Sequence, residues 1–363
     1  MVPGACLLLN VLWAPGLALL LRLAELARGA RLAALARSAE FQATGFQAHD
    51  CRDPVRLPPA AVDVRGLEVV HVVYVSDAQC FGGLLASMLS LSRHLRAPEQ
   101  AVIHVILPAA HVPLAERLVQ CFSRAVGLPT APTLRLHELR PNPLVEEHLT
   151  YGRFYVHEYL PDLSRVIYLD TDTIVRTDLA PLYRMQMRFA LAAAPVAPFL
   201  VQRELCKAMC AEENVYQNLS SRTYFNAGVL VLDLQRWRTE NTALALEAWL
   251  TRTGSFMRDQ LALNLEFQGG YDLLDMRWNW NFVGGDPEPG VFIIDAERCL
   301  EEAWILHWSV AGVKPWQPGK ERTPHYHLFA PWDFSDRCEA LQAMAVQEPP
   351  RPSATAAAIL NSP

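Results

Sequence analysis

Two aspartates one residue apart, Asp170-Thr171-Asp172, follow directly on the apolar run Val166-Ile167-Tyr168-Leu169 and lead into Thr173-Ile174-Val175. Side chains two apart on a regular strand share a face and point in parallel, so this pair converges only where the backbone turns. Between apolar flanks, two unpaired carboxylates repel each other and carry a desolvation penalty. A divalent cation relieves both. Hard oxygen ligands suit Mg²⁺ or Mn²⁺, ions that also hold diphosphates. The same spacing fits a turn whose aspartates cap backbone amides, and the two residues alone leave both open.

The elements that must position this pair alternate in type. Leu67 to Val75 (LEVVHVVYV) and Ala101 to Leu107 (AVIHVIL) are β-branched runs suited to strands buried on both faces. Thr133 to Leu139 alternates as a third strand, and Arg165 to Leu169 makes a fourth. Helical spacing spans Phe81 to Leu95, Leu114 to Val126 and Val145 to Leu160. Strands alternating with helices predict an α/β fold with a mixed, mainly parallel central sheet and flanking helices. Ligands of such sheets lie beyond the carboxyl ends of the strands, which directs attention to the residues after Val75 and after Leu169. Cys80-Phe81-Gly82-Gly83 is not a GxGxxG fingerprint, and no GxxxxGK[ST] loop occurs. Nicotinamide chemistry and P-loop NTP hydrolysis are therefore disfavoured.

The chain of 363 residues is 51% hydrophobic and 19% charged, enough apolar material for a substantial core. Its 32 Lys+Arg against 38 Asp+Glu give a net charge of −6, with no basic run, so nucleic acid is not an expected partner. Residues 1–39 begin with a stretch free of charged side chains up to Leu21, followed by Arg22, Arg28, Arg31 and Arg37. At about 20 residues it only just reaches the length of a membrane span. A secretory signal, a membrane anchor and a buried helix all fit; targeting or anchoring is the expectation, with the secretory pathway and the Golgi membrane or lumen as destination. Residues 40–65 form a proline-interrupted linker, 66–339 the folded domain, and 340–363 a tail expected to be disordered. Eight cysteines (Cys6, Cys51, Cys80, Cys121, Cys206, Cys210, Cys299, Cys338) lack zinc-knuckle spacing and are expected mainly as thiols, with at most one disulfide. Asn218-Leu219-Ser220 is a glycosylation acceptor if the chain enters that pathway.

Further segments, taken in order with the acidic pair, resemble glycosyltransferase family 8, the retaining nucleotide-sugar transferases of GT-A fold. They are Tyr74-Val75-Ser76-Asp77, Tyr151-Gly152-Arg153-Phe154-Tyr155, Phe225-Asn226-Ala227-Gly228-Val229, Asp259-Gln260, Trp278-Asn279-Trp280-Asn281, and Ile305-Leu306-His307-Trp308 with Gly312 and Lys314. The resemblance covers roughly Val69 to Pro331 and is nearest to plant galacturonosyltransferase-like and bacterial galactosyltransferase members. It implies that Asp170, Asp172 and His307 bind the metal, Mn²⁺ or Mg²⁺, with the imidazole tilting the preference towards Mn²⁺. It places Ser76, Asp77, Arg153, Thr171, Gly312 and Lys314 on the UDP-sugar, and Asn226, Asp259 and Gln260 at the transferred sugar. Asn226 offers donor and acceptor atoms to hydroxyls, and Gly228 allows close backbone approach. Trp278 to Asn281 are expected as packing. Residue 258 is arginine where the family often has aspartate; with Arg203 it is a candidate contact for a uronic acid.

The implied reaction moves a hexosyl, hexuronosyl or xylosyl unit to the hydroxyl of a carbohydrate or glycoconjugate. An amide such as Gln260 is a poor nucleophile, which favours a front-face route. A glycogenin-like self-glucosylating initiator and a non-catalytic sugar-nucleotide-binding relative are the alternatives.

Overall fold

A computed structural model describes residues 69–127, 131–196, 224–253, 258–267, 270–284, 296–309, 312–339 and 341–342. The apolar N-terminal segment, the linker, Arg203, Asn218, Cys6, Cys51, Cys206, Cys210, the Arg258 side chain and the tail beyond residue 342 lie outside the described residues.

Four parallel strands, β1 (Val70–Val75), β2 (Ala101–Leu107), β3 (Thr133–Glu138) and β4 (Arg165–Leu169), form one half of a seven-stranded sheet. A short ladder of β5 (Thr173–Val175) and β9 (Ile305–His307) stands apart from it. The sheet is completed by β6 (Leu191–Pro195), β7 (Phe225–Asp233) and β8 (Asp272–Leu273), giving the order β3-β2-β1-β4-β7-β6-β8. β7 runs antiparallel to both β4 and β6, so the sheet is mixed and mostly parallel. β2 is buried at every position, as its unbroken apolar run requires. β3, at the edge, alternates between exposed and half-buried residues.

Helices cover both faces. On one, α1 (Phe81–His94) and α2 (Val112–Val126) pack Phe81, Leu84, Leu118 and Phe122 against Val72, Tyr74, Leu169 and Val231. On the other, α3 (Leu234–Thr239), α4 (Thr242–Thr253) and α5 (Arg258–Phe267) pack Trp237, Leu246 and Leu263 against Val73, Tyr168 and Leu230. No helix among the described residues is long and apolar enough to cross a membrane.

Two expectations are corrected. The helix expected over Val145 to Leu160 is broken: a helical turn at Pro143–Glu147 gives way to 3-10 turns over Leu149–Tyr155 and a last turn at Val156–Tyr159. His148 is extended (φ −143°, ψ 111°), and Gly152 presses so close to β1 that a Cβ there would lie 2.7 Å from Val75 Cγ1. The apolar spacing is real, but contact with β1 dictates a tighter path. Nor are the described cysteines thiols. Cys121 on α2 is bonded to Cys338 near the chain's end, and Cys80 and Cys299 are disulfide-bonded as well.

Three histidines on neighbouring strands form a hydrogen-bonded ladder: His71 Nδ1 lies 3.0 Å from His104 Nε2, and His104 Nδ1 lies 2.9 Å from His137 Nε2. Burial, reinforced by Arg135, pushes His71 down to about 4; burial and the adjoining His71 push His104 down to about 3; burial also lowers His137. Below pH 6.5 the unfolded chain therefore takes up protons that the folded ladder refuses, and stability falls as pH drops. The contribution is present in full above pH 6.5 and lost progressively down to the depressed folded values. Denaturant midpoints should fall between pH 6.5 and about 4, and His104→Gln should flatten that slope; an unaltered slope would dissociate it from the ladder.

Candidate active site

β4 delivers Asp170 and Asp172 to a turn fixed from two sides. The Asp170 N–H donates to the Gly228 carbonyl of β7 (2.8 Å), and the Thr173 hydroxyl donates to the Asp170 carbonyl (2.8 Å). With its proton committed, Thr173 Oγ1 accepts from Ser87 (2.9 Å), which in turn accepts from Tyr74 (3.0 Å). This buried chain clamps the turn onto β1 and α1. β9 then pairs with β5 so that His307 stands opposite Thr173, and the Trp308 N–H donates to the Asp172 carbonyl (3.0 Å). Residues remote in sequence thereby meet around one point.

Each carboxylate has one oxygen tied back and the other turned toward that point. Asp170 Oδ1 accepts from Arg153 and from the Tyr168 hydroxyl (both 2.9 Å), while Oδ2 lies 3.7 Å from His307 Nε2. Asp172 Oδ2 accepts from Lys314 Nζ (2.7 Å), and its Oδ1 lies 3.1 Å from His307 Nε2. Ligand atoms of Asp170, Asp172 and His307 all fall within 4.8 Å of one another. Burial opposes the Asp172 charge, but the Lys314 ammonium outweighs it and holds the carboxyl well below the usual range. The spacing and chemistry of this one-imidazole, two-carboxylate set fit a divalent cation.

Gly228 makes the convergence sterically possible. A Cβ there would lie 2.1 Å from His307 Cε1 and 2.9 Å from Asp170 Oδ2, so the space expected for a ligand is filled by the imidazole itself.

Arg153, expected on the donor, turns inward. Only 4% exposed, it donates to Asp170 (2.9 Å), to the Ala227 carbonyl (2.6 Å) and, through Nε, to the Thr150 carbonyl (3.1 Å), while Nε forms an ion pair with Asp259 Oδ2 at 2.9 Å. Burial opposes its charge, yet Asp170 and Asp259 keep the guanidinium ionised. For Asp259 the balance is reversed, and burial raises its pKa despite Arg153. α5 is stapled to β7 by side-chain amides. Asn264 accepts from the Phe225 N–H (2.9 Å) and donates to the Phe225 carbonyl (3.0 Å), and Gln260 Oε1 accepts from the Ala227 N–H (3.1 Å). Gln260 and Asp259 thus stand beside Asn226, whose Oδ1 is occupied by the Gly228 N–H (2.8 Å) and Asn279 Nδ2 (2.8 Å). That acceptor faces inward rather than toward a sugar.

Of the other expected residues, Ser76 is fully buried with its hydroxyl on the Asp77 carbonyl, and Asp77 caps the turn into α1 through the Cys80 N–H (3.2 Å). Thr171 is buried between the two carboxylates, and Gly312 is exposed. Tyr168, Thr173 and Ser87 support the site without having been singled out, and Asn279, expected as packing, does so through its hydrogen bonds to Asn226 and His307. Tyr168 lies two residues before Asp170 on one strand face, and Ser87 and Ser90 make a polar i,i+3 pair among the buried residues of α1.

A sequence profile of glycosyl transferase family 8 matches residues 71–319. The chain is 28% identical over 299 residues to Probable galacturonosyltransferase-like 3 of Arabidopsis thaliana, covering 73% of this chain and 80% of that one. Its fold matches the galactosyltransferase LgtC, solved with donor and acceptor sugar analogues, at a TM-score of 0.53 and 21% identity, over 73% of this chain and 96% of LgtC. The apo structure of the bifunctional glycosyltransferase WbbM superposes with a TM-score of 0.61 at 19% identity; the match covers 80% of this chain but only 53% of WbbM.

Gly228→Ala should destabilise by about 1–3 kcal/mol through overpacking against His307. Arg153→Met, which leaves the buried Asp259 and the half-buried Asp170 without their guanidinium, should cost about 3–5 kcal/mol. Chemical denaturation measures both; an unchanged midpoint in Arg153→Met would show that Asp170 and Asp259 need no countercharge.

Proposed function

The chain belongs to glycosyl transferase family 8, and on that premise we propose that it transfers a glycosyl unit from a UDP-sugar to an acceptor hydroxyl with retention of configuration, at a site requiring a divalent cation. The observation that carries this is the meeting of Asp170 Oδ2, Asp172 Oδ1 and His307 Nε2 from distant parts of the chain. Three electron-rich atoms turned on one point lower their energy by sharing a cation, and the imidazole favours Mn²⁺ over Mg²⁺. Bound there, the ion supplies Lewis-acid stabilisation for negative charge on the leaving diphosphate.

This chain's own groups do the rest. Lys314, within 2.7 Å of Asp172, brings a positive charge to the rim of the same site and offsets charge developing on the departing nucleotide. Gln260 and Asp259, on the first turn of α5, face the transferred sugar. Asp259 is paired with Arg153 and Gln260 is an amide, so neither is a free nucleophile. A front-face exchange follows: the bond from the anomeric carbon to the phosphate oxygen breaks, the acceptor oxygen bonds to the same face, and its proton passes to the departing phosphate. The donor is a hexosyl, hexuronosyl or xylosyl nucleotide and the acceptor a carbohydrate or glycoconjugate; the relative's name makes galacturonosyl transfer the first to assay. The disulfide bonds of Cys80, Cys121, Cys299 and Cys338 fit folding in an oxidising compartment, in keeping with a secretory, Golgi-directed chain.

UDP release across a panel of UDP-sugars with Mn²⁺ tests the activity. Asp172→Ala and His307→Ala should each lower it at least about 100-fold, as should chelation; full turnover by Asp172→Ala under chelator would sink the scheme. Gln260→Ala should lower turnover more than donor affinity. In protein from a secretory host, alkylation before reduction should leave Cys80, Cys121, Cys299 and Cys338 unlabelled, and labelling there would count against the oxidising compartment.

A further inference from the structure

We infer that Asn279, oriented by Asn226, is a positioning residue that sets the tautomer of His307; this rests on the cation-binding reading of the preceding subsection. Carboxamide and imidazole orientations are ordinarily assigned rather than seen, but here a backbone group fixes them in sequence. The Gly228 N–H can only donate, so the atom of Asn226 lying 2.8 Å from it is the carbonyl oxygen. That oxygen also faces one end of the Asn279 amide at 2.8 Å, which must then be the NH₂. The opposite end of Asn279, its oxygen, therefore points at His307 Nδ1, 2.9 Å away.

A carbonyl oxygen accepts and never donates, so Nδ1 carries the proton. In the neutral ring Nε2 then keeps its lone pair, and Nε2 is the atom lying 3.1 Å from Asp172 Oδ1 and 3.7 Å from Asp170 Oδ2. Asn279 is completely buried, with Asn226 and His307 nearly so. An imidazole turned to the other tautomer would leave Asn279 Oδ1 without a donor in a dry site, where an unsatisfied acceptor is costly. Gly228 acts twice: its N–H starts the chain, and its missing side chain leaves room for the ring. Hydrogen bonds of this kind behind a ligating histidine fix ring orientation and raise ligand basicity. Two separate motifs of the sequence, Phe225-Asn226-Ala227-Gly228-Val229 and Trp278-Asn279-Trp280-Asn281, thereby join in one device.

The test is Mn²⁺ affinity of the purified full chain, followed by electron paramagnetic resonance of the free ion. Asn279→Ala and Asn226→Leu should each bind Mn²⁺ about 10–100-fold more weakly than wild type. Asn226→Asp keeps an oxygen able to accept from both Gly228 and Asn279, and should stay within about threefold of wild type or bind more tightly. Wild-type affinity in Asn279→Ala, or a loss in Asn226→Asp equal to that in Asn226→Leu, would overturn the inference. A control separates the two levels: if Asp172→Ala binds Mn²⁺ as wild type does, the cation-binding reading itself fails. Should a variant not fold, the unaltered protein decides. With ¹⁵N-labelled histidine and bound Cd²⁺, His307, assigned from His307→Gln, should show a protonated Nδ1 and coupling of Nε2 to the metal. The reverse pattern would overturn the inference whatever the variants do.

Discussion

Two carboxylates and an imidazole nitrogen turned toward one point, in surroundings with little water, are the constraint around which this molecule is organised. Unpaired, such a group of lone pairs repels itself. The fold answers with fixed positive charge behind it: Arg153 on the buried side of Asp170 and Lys314 on the flank of Asp172. Each cation takes one carboxylate oxygen and leaves the other facing His307. The charges thus do more than neutralise; they choose which oxygen is presented.

The scaffold is arranged so that this choice is rigid. A parallel strand, β4, brings the acidic pair to the carboxyl edge of the sheet, and antiparallel β7 supplies Gly228 directly opposite Asp170. The separate β5–β9 ladder carries His307 to the same place. Beneath the turn, the Tyr74–Ser87–Thr173 chain substitutes hydrogen bonds for water that burial has removed. The Arg153–Asp259 pair extends the network to α5, so the helix bearing Gln260 is tied to the same arginine that steadies Asp170. Site and α5 form one connected polar unit inside an apolar shell.

The disulfide Cys121–Cys338 has a related consequence. It fastens the segment that follows Lys314 to α2, while the Trp316 indole donates to the Gln79 carbonyl ahead of α1 (2.9 Å). The last element of the site is thereby held to the first helical layer at two places, one covalent. The histidine ladder crosses β1, β2 and β3, beginning at His71 on the early half of β1, and none of its hydrogen bonds reaches Asp170, so its acid sensitivity is a property of the sheet rather than of the chemistry.

Periodicity and residue type, both local, determined the α/β alternation, the buried strands, the location of the Asp-x-Asp turn at a strand's end, and the family to which the chain belongs. β-branched runs exclude other backbone states through nearest-neighbour sterics, and the motif residues occur in fixed order along the chain. Which side chains face each other is not local. The long helix expected over Val145 to Leu160 failed because Gly152 packs on β1, a contact invisible in spacing. Arg153 turned inward because Asp170 and Asp259 were both within its reach once α5 had docked on β7. Asn279, taken from sequence as packing between tryptophans, became a hydrogen-bond link because β9 drew His307 beside it. Strand pairing and helix docking made these decisions, since a buried polar atom takes whatever partner the packed chain leaves within about 3 Å.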